Sequence, residues 1–327
     1  MIARLAAPLA LALAALLGGC DQDIALPSGE VALRPMGGIL YDTNSIGGFN
    51  FSELTFVGSD RSIRHRRICL GQKYLFRCLD KVVVVNGRLR GVIGGQIYAG
   101  DDFIDARWEL DADPPEPDHP EGDGVYDSSM TVVFKGRRLV PTAAGDLELF
   151  DLQIDRESVT GPLKALLPDG TGPVPYCAPD PARGDATEAT LLANTHIDHD
   201  DGSVVAEAGT LHLACSGGAT GRAALLGYHP GTIGTAGYEA ALRALRADYC
   251  GDGHSHATVG DPFQIADTWG LHASEGPIPE ARWTDAGALC LDAARSPSVD
   301  ADALRQSCGI PKCDGVSEGM LWTSRAK

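Results

Sequence analysis

Gly251-Asp252-Gly253-His254-Ser255-His256 brings a carboxylate, a hydroxyl and two imidazoles into six residues. Asp252, His254 and His256 are side chains of the types that hold Zn²⁺, and Asp248, Asp267 or His272 could complete the set around an open position for an activated water. The chemistry would be metal-assisted hydrolysis. It requires an extended loop, since only then does a one-residue gap turn both rings the same way. The competing reading is structural: Asp252-Gly253 makes a tight turn, and Ser255 and His256 bond to nearby backbone. Ser255 is poorly placed as a nucleophile, because an exposed serine elbow needs a strand before it and a helix after it, and here a helix comes first. A second polar run, Thr195-His196-Ile197-Asp198-His199-Asp200-Asp201-Gly202, reads as the tip of a hairpin ending in Asp-Gly.

The elements that must position these residues follow from spacing. Thr235 can cap a helix running from Gly237 to Tyr249, with Ala241, Leu242, Leu245 and Tyr249 on its apolar face, Arg243 and Arg246 pointing away, and Gly251 ending it. A short helix is expected from Val299 to Ser307. The first half reads as β: Lys81 to Val85 and Arg88 to Ile93 flank the two-residue turn Asn86-Gly87. Phe103 to Leu110, Met130 to Phe134, Arg138 to Val140 and Leu147 to Ile154 follow, with short links that imply antiparallel pairing. Asp111 to Gly124 is too rich in proline and charge for regular structure. The basic cluster Arg61, Arg64, His65, Arg66 and Arg67 is expected to pair with the acidic loops rather than with phosphate, a polyanionic glycan being the alternative.

Location is written at the amino terminus. Met1 to Arg4 is a short positive region, and Leu5 to Leu17 is apolar but shorter than the roughly 20 residues that span a bilayer, as in a signal peptide. Leu17-Gly18-Gly19-Cys20 resembles the bacterial lipobox, which implies acylation at Cys20, palmitate among its chains, and attachment to the lipid bilayer through that residue. Setting Cys20 aside leaves Cys69, Cys78, Cys177, Cys215, Cys250, Cys290, Cys308 and Cys313, an even set that fits four disulfides in an oxidising compartment. Short loops close most readily, which favours Cys69–Cys78 and Cys308–Cys313; Cys177, Cys215, Cys250 and Cys290 allow three connectivities, of which Cys250–Cys290 with Cys177–Cys215 is preferred. With 27 Lys+Arg against 44 Asp+Glu the net charge is −17, which argues against nucleic acid as a partner and against an anionic surface held by overall charge alone.

Ala247-Asp248-Tyr249-Cys250 is followed by Gly251-Asp252-Gly253-His254-Ser255-His256, Asp267-Thr268-Trp269-Gly270 and Glu280 to Leu291. It is preceded by Pro175-Tyr176-Cys177, Leu213 to Ala219 and Leu226-Gly227-Tyr228-His229-Pro230. This ordered series, from Pro173 to Arg295, resembles the ADYC-domain family of exported bacterial proteins, often lipoproteins. The resemblance implies an extracytoplasmic, disulfide-stapled domain and carries no activity over. Further cysteines that family members carry before the Gly-Tyr element and within the helix are absent here.

The expected fold is α+β and β-rich: an antiparallel β amino-terminal region followed by a disulfide-stapled α+β ADYC-like domain. The expected divisions are 1–19 signal peptide, 20–48 lipidated cysteine and tether, 49–157 β-rich region, 158–295 ADYC-like domain and 296–327 cysteine-containing tail. The expected role is a non-catalytic binding or structural module on the extracytoplasmic side of a bacterial membrane, inner or outer undecided, with a protein or glycan partner left open. No cofactor is expected. The alternative is a metal-dependent hydrolase with Zn²⁺ at Asp252, His254 and His256.

Overall fold

The computed structural model describes residues 30–31, 53–55, 63–114, 124–180, 184, 186–257 and 262–326. Cys20, the signal segment, Arg61 and the middle of the acidic loop lie outside the described residues. The chain is β-rich, with three sheets, three α-helices and four disulfides among the described residues. The largest sheet takes β2 (Glu53–Thr55), β3 (Ile63–Cys69), β7 (Arg107–Ala112), β8 (Ser128–Thr142), β9 (Gly145–Ile154), β10 (Val174–Pro175), β11 (Glu188–Ile197) and β12 (Val204–Cys215). Its order is β10-β9-β11-β12-β2-β3-β7-β8, and because β8 also pairs with β9 the ladder closes into a barrel, with β10 attached to its outer course. Pairing is antiparallel except for one parallel register, Thr55 with Arg64. Closure removes the free edges that an open sheet would expose.

Alternation along β11 and β12 explains the layering. Ala189, Leu191, Leu211 and Leu213 face the barrel core with Trp108, Phe134 and Phe150. Leu192 and Ala214, one residue out of phase, join a second core. Two strands buried on both faces must read as near-continuous apolar runs, and Leu191-Leu192-Ala193 and Leu211-His212-Leu213-Ala214 do. The second core also takes α1 (Ala219–Leu225), α2 (Pro230–Arg246) and a five-stranded antiparallel sheet. That sheet has the order β1 (Glu30–Val31), β13 (Phe263–Asp267), β16 (Leu321–Arg325), β14 (Ile278–Thr284) and β15 (Gly287–Leu291). A three-stranded sheet, β4 (Lys81–Val85), β5 (Arg88–Ile93) and β6 (Gln96–Ala99), packs Leu89, Ile93 and Tyr98 onto the barrel core.

Several expectations change. Arg138 to Val140 is not a separate strand: it continues β8 past an irregularity between Phe134 and Gly136. The strand expected from Phe103 starts at Arg107, after a 3-10 turn over Gly100–Phe103. α2 runs through a non-helical Gly234 and stops at Arg246, because Ala247 adopts a left-handed conformation (φ 51°). Arg243 and Arg246 do not point away into solvent. Every residue from Gly237 to Arg246 is buried, since the helix is covered by β strands on both sides. The division drawn at 157/158 falls inside the barrel, between β9 and β10.

Cys69–Cys78 and Cys177–Cys215 pair as expected. The other two disulfides are Cys250–Cys308 and Cys290–Cys313, in place of Cys250–Cys290 and Cys308–Cys313. Sequence proximity loses to position: α3 (Ala301–Cys308), capped by Asp300, sets its last residue beside the end of α2, and the chain after Gly309 then returns along β15. The Leu291 N–H donates to the Pro311 carbonyl there at 2.9 Å, next to Cys290 and Cys313.

Candidate functional site

Once Ala247 has turned the chain out of α2, the Asp248 and Tyr249 side chains enter the interior and Cys250 is half-buried at its edge. The Tyr249 ring stacks on Trp283 with centroids 5.3 Å apart. Its hydroxyl donates to Glu280 Oε1 at 2.8 Å and accepts the Arg295 N–H at 2.8 Å. Arg295 is itself buried, bridges Glu280 (Nη2–Oε1 3.1 Å), and lies over the Phe263 ring. Its guanidinium donates to the Ala244 and Leu245 carbonyls at 2.7 and 3.2 Å, satisfying acceptors that the end of a helix leaves open. Burial, and then the Glu280 carboxylate, hold the Tyr249 phenol well above its ordinary pKa.

Asp248 organises the loop side. Its carboxylate accepts from Arg243 Nη1 at 2.8 Å and from the Gly253 and Asp252 N–H groups at 3.0 and 3.2 Å. Burial pushes its pKa up against the opposing pull of Arg243 and the Gly253 N–H. Arg243 also donates to Glu239 Oε1 at 2.6 Å, to the Asp201 carbonyl at 3.1 Å and to the Asp285 carbonyl, so one guanidinium ties three loops to the helix. Glu239 in turn accepts the Val204 N–H at 3.0 Å.

The loop itself is tightly seated. A Cβ on Gly253 (φ 81°) would stand 2.1 Å from the Asp200 carbonyl oxygen, so the two polar runs distinguished by sequence meet in space, backbone against backbone. Ser255 Oγ donates to the Arg246 carbonyl at 2.9 Å, and the His256 and Ala257 N–H groups reach the same acceptor. Asp252 accepts the His254 N–H at 3.0 Å, and the His254 and His256 rings meet edge to face at 4.7 Å. Among the described residues, no three His, Cys, Asp or Glu side chains group so as to hold a metal ion. The set Asp252, His254 and His256 is therefore not brought together as a metal site. Asp267 is equally engaged, accepting from the Tyr228 hydroxyl and from the N–H groups of Trp269, Leu271 and His272.

The run from Thr195 to Gly202 forms the β11–β12 hairpin tip, as read from Asp-Gly, with Ile197 opposite Val204. Its His196, together with His212 on β12, joins a residue that sequence reasoning missed. Glu53 on β2 accepts from the Ile197 N–H at 2.6 Å and bonds His196 Nδ1 at 2.7 Å and His212 Nδ1 at 3.0 Å. Burial opposes ionisation there, but the two imidazoles and the N–H prevail and hold the Glu53 carboxyl far below the usual range. In the basic cluster Arg64 pairs with Asp111 at 3.0 Å and Arg67 with Glu109 at 2.8 Å, partners on strand β7 rather than in a loop, while His65 accepts from the Trp108 indole at 2.8 Å.

A cavity of about 230 Å³ opens where the Asn86-Gly87 turn, the β8–β9 turn and the α1–α2 link converge, lined among others by Arg88, Asp146, Leu147 and His229. His229 caps α2, its Nδ1 accepting the Gly231 N–H at 3.0 Å, which leaves the proton on Nε2. Among the described residues, no hydrogen bond of ordinary geometry reaches that Nε2 or Thr190 Oγ1, both of which are buried. Gly87 packs over both: a Cβ there would lie 3.3 Å from the hydroxyl and 3.6 Å from the ring nitrogen.

Compared with known proteins, the chain matches the family model of the ADYC domain over residues 100–297, more than half its length. The match begins upstream of Pro173 and so takes in much of the barrel. No curated protein and no solved structure matches.

Proposed function

Because the chain belongs to the ADYC domain family, and Ala247, Asp248 and Tyr249 of its tetrapeptide are buried in a hydrogen-bonded interior, we propose that it is a non-catalytic binding or structural module of the bacterial cell envelope, anchored by an acylated Cys20. The observation that carries this reading is the engagement of the polar groups around the motif. Asp248, Tyr249, Ser255 and Asp267 each bond to backbone or to a buried partner, leaving no poised nucleophile or ligand set among them. The four disulfides support an extracytoplasmic location. The Leu17-Gly18-Gly19-Cys20 run supports the anchor. The cavity beside His229 is the opening in which such a module would take a small ligand.

One experiment tests the role: metal analysis and thermal melting of the purified chain with and without a chelator, beside His254→Ala and His256→Ala. The expected result is no bound metal, the same melting temperature with chelator, and a loss of under about 1 kcal/mol in each variant. Stoichiometric Zn²⁺ that both substitutions remove would overturn the reading in favour of a metal-dependent hydrolase.

A further inference from the structure

The charge of this chain inverts locally. Between Cys69 and Ala99 five Lys or Arg residues stand against one Asp, a net +4 within a chain of −17. The same stretch is unusually apolar outside: of the ten large hydrophobic side chains exposed among the described residues, five lie between Leu75 and Ile97.

Register assigns these residues to one face. Lys81 pairs with Val92, Val83 with Arg90 and Val85 with Arg88, while Val92 pairs with Ile97 and Arg90 with Ala99. Directly paired residues share a face, so the outer face of the β4–β6 sheet carries Val83, Val85, Val92 and Ile97 interleaved with Lys81, Arg88 and Arg90. The inner face, with Leu89, Ile93 and Tyr98, is covered by the barrel. On the outer face Val85 and Ile97 are 53% and 64% exposed. Arg88 lies 3.8 Å from Asp146, and Lys81 and Arg90 have no ion-pair partner among the described residues.

We propose that this face docks on an anionic lipid surface. Long basic side chains can lie along apolar neighbours and send their charges to the headgroups while the aliphatic groups enter the interfacial zone. Area argues against a stable protein partner here. Three strands at about 4.8 Å spacing and about 18 Å length give roughly 250 Å², well under the roughly 800 Å² per partner of a stable complex. A weak lipid contact suffices if the chain is already tethered, because tethering makes docking intramolecular. In that respect the inference rests on the proposed anchor at Cys20.

The test is backbone amide exchange of the full chain reconstituted with vesicles of phosphatidylcholine alone, or of phosphatidylcholine mixed equally with phosphatidylglycerol. Flotation of the chain with the vesicles is scored separately. Amides of residues 81–99 are expected to exchange about tenfold more slowly on the anionic vesicles only. That protection should vanish in Lys81→Glu/Arg90→Glu and in the milder Lys81→Gln/Arg90→Gln, and should weaken between about 0.05 and about 0.5 M NaCl. Melting temperatures check that both variants fold. A chain that floats without protection of 81–99, equal protection on both lipids, or protection that survives both double substitutions would overturn the docking face and leave the anchor standing. Protection without vesicles that grows with protein concentration would assign the face to a second copy of the chain, which also overturns it. A chain that does not float removes the anchor, and protection of 81–99 by added anionic vesicles then still decides the docking face.

Discussion

At the scale of single residues the motif behaves as a junction of buried bonds, and its energetics follow from which group is left alone when a partner goes. Tyr249→Phe keeps the stacking on Trp283 but leaves Glu280 Oε1 and the Arg295 N–H without the hydroxyl, a loss expected to cost about 1–3 kcal/mol. Arg295→Met should cost more, about 3–5 kcal/mol, because it strands the buried Glu280 carboxylate as well as two helix carbonyls. Denaturant unfolding of the two variants gives the order, and Tyr249→Phe exceeding Arg295→Met would contradict it. His229 makes a pH prediction. Burial lowers its pKa from 6.5 to about 4, with the Leu191 backbone pulling the other way. The unfolded ring therefore takes up a proton before the folded one does. Its contribution is complete above pH 6.5, falls as the pH drops from 6.5 towards 4, and totals about 3 kcal/mol at most. Asparagine can supply the capping acceptor without titrating. His229→Asn should thus lose less stability than wild type between those pH values, as melting curves would show; an unchanged slope would place the titration elsewhere.

Elements carry the next set of effects. α3 is joined to the end of α2 by Cys250–Cys308, a link closing 58 residues, and β15 to the following tail by Cys290–Cys313. Chain-entropy reasoning gives about 4 kcal/mol for the longer link, so Cys250→Ala/Cys308→Ala should lower stability by about that amount. Proteolytic mapping of the unreduced chain should recover peptides joined 250–308 and 290–313; a 308–313 peptide would contradict the arrangement. The loop after the motif can be probed through glycine. Gly253 and Gly270 have similar positive φ (81° and 76°), but a Cβ on Gly253 would strike the Asp200 carbonyl while one on Gly270 meets nothing within 4 Å. Gly270→Ala should cost about 1–2 kcal/mol, the strain of the left-handed region. Gly253→Ala should cost measurably more, because the hairpin tip must also move. Equal losses in thermal melting would mean that the loop is less firmly seated than its contacts imply.

At the scale of the whole molecule, two main cores among the described residues share one pair of strands, with a small third cluster where β9 meets α1. β11 and β12 present alternate residues to the barrel interior and to the α1–α2 layer, so neither core is complete without the other. A fragment of residues 158–327 would keep α2, the motif and three of the four disulfides, yet lose five strands of the barrel, β2, β3, β7, β8 and β9, and the β4–β6 sheet packed on its core. It should show no cooperative thermal transition by circular dichroism, whereas the chain with its barrel strands intact should. A sharp transition in the fragment would show that the second core stands on its own.

What the sequence determined alone is what depends on neighbours a few residues apart. The Asn86-Gly87 hairpin, the alternation of β4 and β5, the β11–β12 turn at Asp-Gly and the short helix before Cys308 all rest on local backbone preference and period. Cysteine parity and the ordered landmarks of the family were legible for the same reason. The tertiary structure decided what depends on distance along the chain. Glu53 meets His196 and His212 across 143 and 159 residues, and a lone carboxylate next to Leu54 announces no partner. Arg243 and Arg246 read as a solvent face because helical periodicity records which residues differ from their neighbours, not what packs on them. Once strands cover both sides of α2, each guanidinium must find acceptors inside, and these are Glu239, Asp248 and loop carbonyls, including that of Gly253. Cys250 and Cys290 likewise bond to Cys308 and Cys313 rather than to each other, because the path of α3 and the tail, not spacing, sets which sulfurs come within reach.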